Sequence, residues 1–153
     1  FVTYPKNDPR NKNSVAESAD KAGKVLDEFS NYPKEDIEKV KQAIKCTSYS
    51  FGQVPITIED KTVKDADMLE ATGAVAIMRT FTYGAKINRP FYNPQDPFCD
   101  NRHPDDMKYS VDLFYTRLLK IRDELSTDTA KKIADERSSF LRIFLEQLKS
   151  EIV

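Results

Sequence analysis

The sequence contains a single histidine, His103, and only two cysteines, Cys46 and Cys99. One histidine excludes a histidine-rich metal centre built from these residues alone, and a Ser-His-Asp triad would have to use His103. That histidine lies in the polar turn NRHPDD, where an exposed turn residue is the simpler interpretation. The two cysteines lack the spacing of a zinc site, so we expect reduced thiols in a cytoplasmic protein.

Charge of one sign and long apolar runs are also missing. The chain has 24 Lys+Arg against 25 Asp+Glu, which argues against a nonspecific nucleic-acid binder. No apolar run approaches the ~20 residues of a transmembrane helix, and this argues against a membrane protein. The sequence lacks a Gly-rich phosphate loop and a G-x-S-x-G elbow. No signal peptide is visible at the start, which again predicts a cytoplasmic location.

Apolar residues recur every three or four positions, which predicts an all-α bundle of about five or six helices with one long ordered loop. The 153 residues have the length of one ordinary domain. Ser14 and Glu17 form a capping-box pattern at the first helix, and Pro33 suits the first turn of the second. Thr57 can cap a third helix that runs toward Gly84.

The segment from Ala71 to Tyr83 is apolar nearly all round, which predicts a central buried helix. Gly73 within it marks either a close helix crossing or a break between two helices. Residues 83–104 are rich in proline, asparagine and aromatic residues and predict the ordered loop, with a functional and a packing role both open. Two more helices follow. Their predicted apolar faces contain Val111, Phe114, Tyr115, Leu118 and Leu119, then Ile133, Phe140, Leu141, Phe144, Leu145 and Leu148, with Thr127 capping the last helix. This last helix also leaves a homodimer surface open.

Asp65 and Asp67 stand at the entrance to the apolar run, and burying an unpartnered carboxylate costs roughly several kcal/mol. The stretch VKDADMLEATGAVAIMRTFTYGAKINRPFYNPQDPF resembles the C-terminal signature of HD-domain metal-dependent phosphohydrolases. It is most similar to a bacterial subfamily with a D-A-D-R-L-D-A-x-G-A-x-G-I-x-R-T-F pattern, then a Gly-rich turn, R-P and Y-x-P. The matched positions are Asp65, Ala66, Asp67, Leu69, Gly73, Ala74, Ile77, Arg79, Thr80, Phe81, Gly84, Arg89, Pro90, Tyr92 and Pro94. The later VDLFYTRLLKIRDELSTDTAKKIADERSSFLRIFLEQL also resembles that subfamily, so the resemblance covers most of the chain.

The resemblance implies a divalent metal ion (Mn, Mg, Fe, Co or Ni, not distinguished) held by a first His, a His-Asp doublet and a later Asp. The later Asp corresponds to Asp67, and Asp65 is the neighbouring candidate. On a helix the two side chains point about 200° apart, so both are not expected to reach one ion directly. Asp65 is then expected to cap the helix or to support the ligand. The implied reaction is hydrolysis of a phosphoester or phosphoanhydride, with nucleotides as the leading substrate class.

Basic residues near these positions are candidates for binding the phosphates of a small phosphorylated substrate. In the resemblance, Lys6 follows the position of the His-Asp doublet and is a catalytic candidate with Asp67 and Asp65. Arg10, Arg79 and Arg89 are substrate-binding candidates. The alternatives are a solvated basic turn for Lys6 and Arg10, a buried salt bridge for Arg79 and loop anchoring for Arg89.

The chain departs from the family pattern where the metal ligands are expected. It contains neither the first His nor the His-Asp doublet, and Cys46 begins the segment where relatives carry a His. Met68 stands in place of the usual Arg after the Asp. The chain begins with Phe1, and one interpretation is that residues 1–153 are a single helical domain forming the C-terminal portion of a longer HD domain. The other is a catalytically inactive HD-like scaffold or interaction module without the metal site.

Overall fold

The computed structural model describes residues 2–4, 8–48 and 53–152, which contain helices and no strand. This confirms the predicted all-α class. The helices are α1 (Ser14–Asp27), α2 (Lys34–Cys46), α3 (Ile58–Leu69), α4 (Gly73–Lys86), α5 (Asp112–Thr116), α6 (Ile121–Glu124) and α7 (Asp128–Ile152), with 3₁₀ turns at Pro9–Asn13 and Leu118–Lys120. Contacts divide the chain into two compact units, Phe1–Asp67 and Met68–Val153. None of the helices in the described ranges has the length and apolar character needed to cross a bilayer.

The first unit is built on α1 packed against α2. The predicted capping box at the start of α1 is wrong. Ser14 is already helical, with φ −55° and ψ −36°, because the 3₁₀ turn at Pro9–Asn13 leads directly into α1. Its hydroxyl donates to the carbonyl oxygen of Asn11 at 2.7 Å, and the carboxylate of Glu17 accepts from the Tyr4 hydroxyl.

Gly73 separates α3 from α4, which confirms the predicted alternative of a break between two helices. Its φ is +66°, a left-handed conformation that favours glycine, and a Cβ there would lie 3.2 Å from Cγ of Arg137 on α7. The preceding residue, Thr72, is extended. One continuous helix toward Gly84 therefore does not form.

The prediction that the second of these helices is buried all round is wrong. In the second unit α4 packs on α7 and buries a single stripe of small residues, Gly73, Ala76, Thr80 and Gly84. The larger Val75 and Met78 point away and are 51% and 61% exposed. Small residues on the inner face allow a close helix approach, and Val75 and Met78 lie outside this contact.

The core of the second unit contains an aromatic cluster and a smaller aliphatic one. Phe114 stacks on Phe144 with ring centroids 5.7 Å apart, and Phe81 contacts both rings. The single helix predicted from Val111 onward is broken, because Arg117 has φ −138° and ψ −60° between α5 and the next 3₁₀ turn. On α7 the predicted core residue Phe140 is 47% exposed. The aliphatic cluster contains Met68, Ile121, Leu125, Ala130 and Ala134.

The segment between α4 and α5 is an ordered loop, as predicted, and a buried ion pair holds it. Asp112 is fully buried and receives both terminal nitrogens of the Arg102 guanidinium. The same carboxylate accepts from the backbone N–H of Asp105 at 2.6 Å. Nε of Arg102 donates to the carbonyl oxygen of Asp96 at 3.0 Å. One side chain thus connects both halves of the loop to the start of α5.

This ion pair predicts that the protein loses stability in acid. Burial opposes ionisation of Asp112, yet the hydrogen bonds from Arg102 and Asp105 keep the pKa of its carboxyl below the ordinary 3.8. A lowered folded-state pKa contributes stability that is present above the unfolded pKa and disappears as pH falls through the folded pKa. We expect a smaller free energy of urea unfolding at pH 3 than at pH 7, and a weaker pH dependence in Asp112→Asn. An unchanged dependence in that variant would contradict the assignment.

Candidate functional site

Helix α3 begins with a reciprocal cap that sets the position of the following aspartates. The backbone N–H of Asp60 donates to Oγ1 of Thr57 at 3.1 Å, so the predicted cap is confirmed. The Asp60 carboxylate in turn accepts from the N–H groups of Thr57 and Ile56 at 3.0 and 3.2 Å. Burial opposes ionisation of Asp60, but these donors hold its pKa below the usual value. The start of α3 is therefore fixed by three hydrogen bonds.

Asp65 and Asp67 differ sharply in exposure, as their angular separation on α3 requires. Asp65 is 2% exposed, whereas Asp67 is exposed. Neither carboxylate is without a partner in the structure, so the burial of Asp65 is compensated. Asp67 is the member of the pair that an ion or a substrate can reach. Its assignment as the metal ligand, with Asp65 in support, stays a prediction.

Two further charged residues lie at a small angle from Asp67 around the axis of α3, and the sequence pattern did not single them out. At about 100° per residue, Asp60 lies roughly 20° from Asp67 around the helix, and Lys64 lies roughly 60° from it. Lys64 is half-buried. Burial raises the pKa of the thiol of Cys46, the last residue of α2, while the charge of Asp60 raises it further and the charge of Lys64 lowers it. The spacing of three residues between Lys64 and Asp67 places them one turn apart, but this pattern is common on solvated helices and does not identify a site.

The basic residues at the start of the chain are described only in part. Lys6 lies outside the described residues. Arg10 is exposed and forms an ion pair with Asp8, whose Oδ2 lies 2.7 Å from the guanidinium. The guanidinium also lies 4.6 Å from the centroid of the Tyr4 ring. The hydrogen bond from Arg10 lowers the pKa of Asp8. These contacts hold the Arg10 side chain against Asp8 and Tyr4. Substrate binding by Arg10 stays a prediction.

Arg79 and Arg89 both belong to the second unit. Arg79 pairs with Glu70, and the side chains are 60% and 65% exposed, so the salt bridge considered for Arg79 exists but is not buried. Arg89 is half-buried, and its backbone N–H donates to the carbonyl oxygen of Gly84 at 2.9 Å. Its guanidinium lies 5.9 Å from the centroid of the Tyr83 ring. These contacts describe the anchoring of Arg89, and phosphate binding by either arginine stays a prediction.

A complete metal centre is not formed by the residues that the structure describes. No group of three His, Cys, Asp or Glu side chains in those ranges converges on one point. Asp67 offers a hard oxygen donor of the type that divalent cations prefer. A single carboxylate does not hold such an ion, so the described residues alone do not fit the implied metal, and Asp67 supplies at most one ligand.

The remaining nucleophile candidates are unsuited to catalysis. Burial and the nearby Asp112 carboxylate raise the pKa of the Cys99 thiol to about 11, so the thiolate is scarce at neutral pH. His103 is exposed in its turn, as the sequence predicted. Neither residue offers an activated nucleophile.

Comparisons with known proteins agree on the fold. No protein-family model matches the chain. The uncharacterized Bacillus subtilis protein YpgQ is 33% identical over 129 residues, which are 81% of this chain and 57% of YpgQ. The crystal structure of YpgQ in complex with ADP matches with a TM-score of 0.68 at 32% identity, over 96% of this chain and 66% of that one.

Two further crystal structures match equally well. An HD-superfamily hydrolase from Bacillus thuringiensis gives a TM-score of 0.68 at 33% identity, over 88% of this chain and 62% of the hydrolase. The Lin1889 protein from Listeria innocua gives 0.68 at 34% identity, over 95% of this chain and 77% of that protein. The chain therefore spans only 57% of the length of YpgQ and a larger part of Lin1889.

Proposed function

We propose that this chain, which belongs to the family of YpgQ and Lin1889, serves in the metal-dependent hydrolysis of a phosphoester or phosphoanhydride, with a nucleotide as the substrate class. The observation that carries the proposal is the fold, shared at 33% identity with an HD-superfamily hydrolase. The ADP bound to YpgQ, 32% identical to this chain, supports a nucleotide. The signature around Asp67 supports the finer assignment to the D-A-D-R-L-D-A subfamily.

Residues of the first unit would have distinct tasks in this reaction. The cap between Thr57 and Asp60 fixes the start of α3, and α3 in turn presents the carboxylate of Asp67 on an exposed face. Asp67 would provide one oxygen ligand, and Asp65 would hold the helix from its buried side. When bound, a divalent ion would supply Lewis acidity toward the phosphoryl group. The other ligands would have to come from residues beyond those described.

The second candidate function is a helical scaffold that does not catalyse a reaction. Because the described residues do not form a metal centre by themselves, the HD-like scaffold without catalysis remains the competing proposal. Such a protein would bind a partner or a nucleotide without turning it over. The exposed Val75 and Met78 on α4 would suit an interaction module.

A turnover assay separates the two functions. Phosphate release from nucleoside mono-, di- and triphosphates would be measured with manganese, magnesium, cobalt or nickel, and with a chelator. The assay would use both the 153-residue chain and the complete reading frame of its gene. We expect metal-dependent release in the form that carries the His-Asp doublet, and loss of that release with the chelator. If the complete reading frame encodes no His-Asp doublet and its protein releases no phosphate, the hydrolase proposal fails. The non-catalytic scaffold is then the supported function.

A further inference from the structure

The turn between α3 and α4 is held by a residue far along the chain, Arg137 on α7. Nη1 of Arg137 donates to the carbonyl oxygen of Leu69, the last residue of α3, at 3.0 Å. The same nitrogen lies 3.5 Å from Oγ1 of Thr72. The partners in these two pairs are 68 and 65 residues apart in the sequence. The end of α3 is therefore fixed by a tertiary contact and not by its own residues alone.

The Leu69 carbonyl oxygen accepts from three donors. Besides Arg137, it accepts from the backbone N–H of Thr72 at 3.2 Å and from the Thr72 hydroxyl at 2.5 Å. The last four carbonyl groups of an α-helix have no partner within the helix. A cation at this end also interacts favourably with the helix dipole. Arg137 thus supplies both a hydrogen bond and a charge to the C-terminal end of α3.

The aliphatic stem of Arg137 lies against Gly73, the first residue of α4. A Cβ at Gly73 would lie 3.2 Å from Cγ of Arg137 and 3.3 Å from its Cβ, which is tighter than ordinary van der Waals contact. The absence of a side chain at Gly73 therefore allows the stem to lie directly on the turn. The stem on Gly73 and the guanidinium on Leu69 hold one short segment from two sides.

Asp67 belongs to the helical turn that Arg137 closes. It precedes Leu69 by two residues in α3. Each residue rotates the helix by about 100°, so unwinding of this last turn would change the direction of the Asp67 carboxylate by tens of degrees. A functional side chain has to be held within roughly 10–20° of its productive direction. The contacts of Arg137 with Leu69 and Thr72 therefore bear on whether Asp67 can act.

We infer that Arg137 is a positioning residue of the proposed site, because it closes the last turn of α3 and thereby fixes the direction of the Asp67 carboxylate. This inference rests on the proposed function and deepens it. Arg137 acts through the backbone of α3 and does not contact the substrate in this role. The turn between α3 and α4 becomes the part of the second unit on which the reaction depends.

Arg142 provides a matched control on the same helix. It is exposed, as Arg137 is. Within the described part of the chain, its guanidinium makes no hydrogen bond or ion pair. A methionine at either position keeps most of the aliphatic stem and removes the charge. Arg137→Met and Arg142→Met therefore remove the same charge from α7, and only Arg137→Met removes the hydrogen bonds to the turn.

Amide hydrogen exchange, measured by mass spectrometry on a peptide covering residues 66–73, tests the hold on the turn. Arg137→Met should exchange about tenfold faster than wild type there, the low end of the effect of a hydrogen bond to a charged group because Arg137 is exposed. Loss of the contact makes local opening easier. Arg137→Lys keeps a charged donor and should restore part of the protection. Arg142→Met should exchange like wild type.

Steady-state kinetics test the positioning itself, in the form of the protein that releases phosphate. Arg137→Met should lower kcat by about 10- to 100-fold, because a small misplacement of a reacting group has this effect, and should change KM for the nucleotide less than about twofold. Arg137→Lys should recover kcat in proportion to the protection that it restores. Arg142→Met should keep the wild-type values of both constants.

The other outcomes overturn the inference and separate it from the proposed function. Unchanged exchange in Arg137→Met shows that this residue does not hold the turn. Faster exchange with a wild-type kcat shows that the turn does not direct Asp67. Equal effects in Arg142→Met show a general effect of charge, and equally faster exchange throughout α7, with a lower urea midpoint, shows a global loss of stability. In each case turnover by wild type leaves the proposed function intact, whereas a wild type that releases no phosphate removes both.

Discussion

Replacing Arg102 with methionine is expected to destabilise the second unit by about 3–5 kcal/mol, the usual effect of removing one partner from a buried ion pair. The Asp112 carboxylate has no exposed surface and depends on the Arg102 guanidinium for its counter-charge. Methionine keeps an aliphatic chain in that space but leaves the charge uncompensated. At roughly 2–4 °C per kcal/mol for a chain of this size, the thermal midpoint should fall by about 10 °C.

The chain offers an exposed counterpart of the same chemistry as a control. Arg79 pairs with Glu70, yet both side chains are more than half exposed. Water screens such a pair, and its removal usually costs about 0–1 kcal/mol. Arg79→Met should therefore unfold near the wild-type urea midpoint. If both arginine variants lost equal stability, burial of Asp112 would not be the cause. The double variant Arg102→Met with Asp112→Asn should be more stable than Arg102→Met alone, because it removes the stranded charge.

Local signals predicted the helix boundaries best, since each depends on only a few neighbouring groups. Thr57 caps α3 through the N–H of Asp60, and Thr127 begins α7 through the N–H groups of Ala130 and Lys131. The break at Gly73 follows from a positive φ that glycine tolerates. The capping box at Ser14 failed because a 3₁₀ turn precedes that residue, and no residue pattern in the helix itself reports the turn.

Packing was harder to predict, because it depends on which neighbour a helix meets. The apolar run after Gly73 indicates burial by composition, but α4 buries its glycines and small residues and exposes Met78. The spacing of apolar residues after Val111 indicates one helix, but the backbone of Arg117 interrupts it. Periodicity identified which segments are helical in both cases. It could not identify the partner surface or a break at a residue with ordinary helix propensity.

Part of the candidate site was accessible from the sequence. The angular separation of Asp65 and Asp67 on a helix predicted that the two would face different surroundings, and their burial differs accordingly. Lys64 was missed because a lysine one turn before an acid is common on solvated helices. Only the effect of its charge on the pKa of the buried Cys46 thiol sets it apart from Lys61, which is half-buried in the same way. This effect depends on α2, which the local pattern around α3 does not report.

The largest functional effect is expected from Asp67→Asn, measured against Asp65→Asn in the form of the protein that shows metal-dependent turnover. Changing residues that only support metal ligands commonly costs about 10–100-fold in activity or metal affinity, so loss of a ligand should exceed about 100-fold. Because Asp67 is exposed, Asp67→Asn should fold like wild type. Manganese affinity, measured by calorimetry, should fall together with the turnover number.

Asp65→Asn should show the opposite balance between stability and activity. Asp65 is 2% exposed and has a partner in the structure, so asparagine exchanges an accepting oxygen for an NH₂ group in a buried place. An unsatisfied buried polar group costs about 1–3 kcal/mol, which should appear as a lower urea midpoint. Well below that midpoint, Asp65→Asn should keep far more turnover than Asp67→Asn. Unchanged turnover in Asp67→Asn with its loss in Asp65→Asn would instead transfer the ligand role to the buried aspartate, and α3 would then have to rotate or unwind for Asp65 to reach the ion.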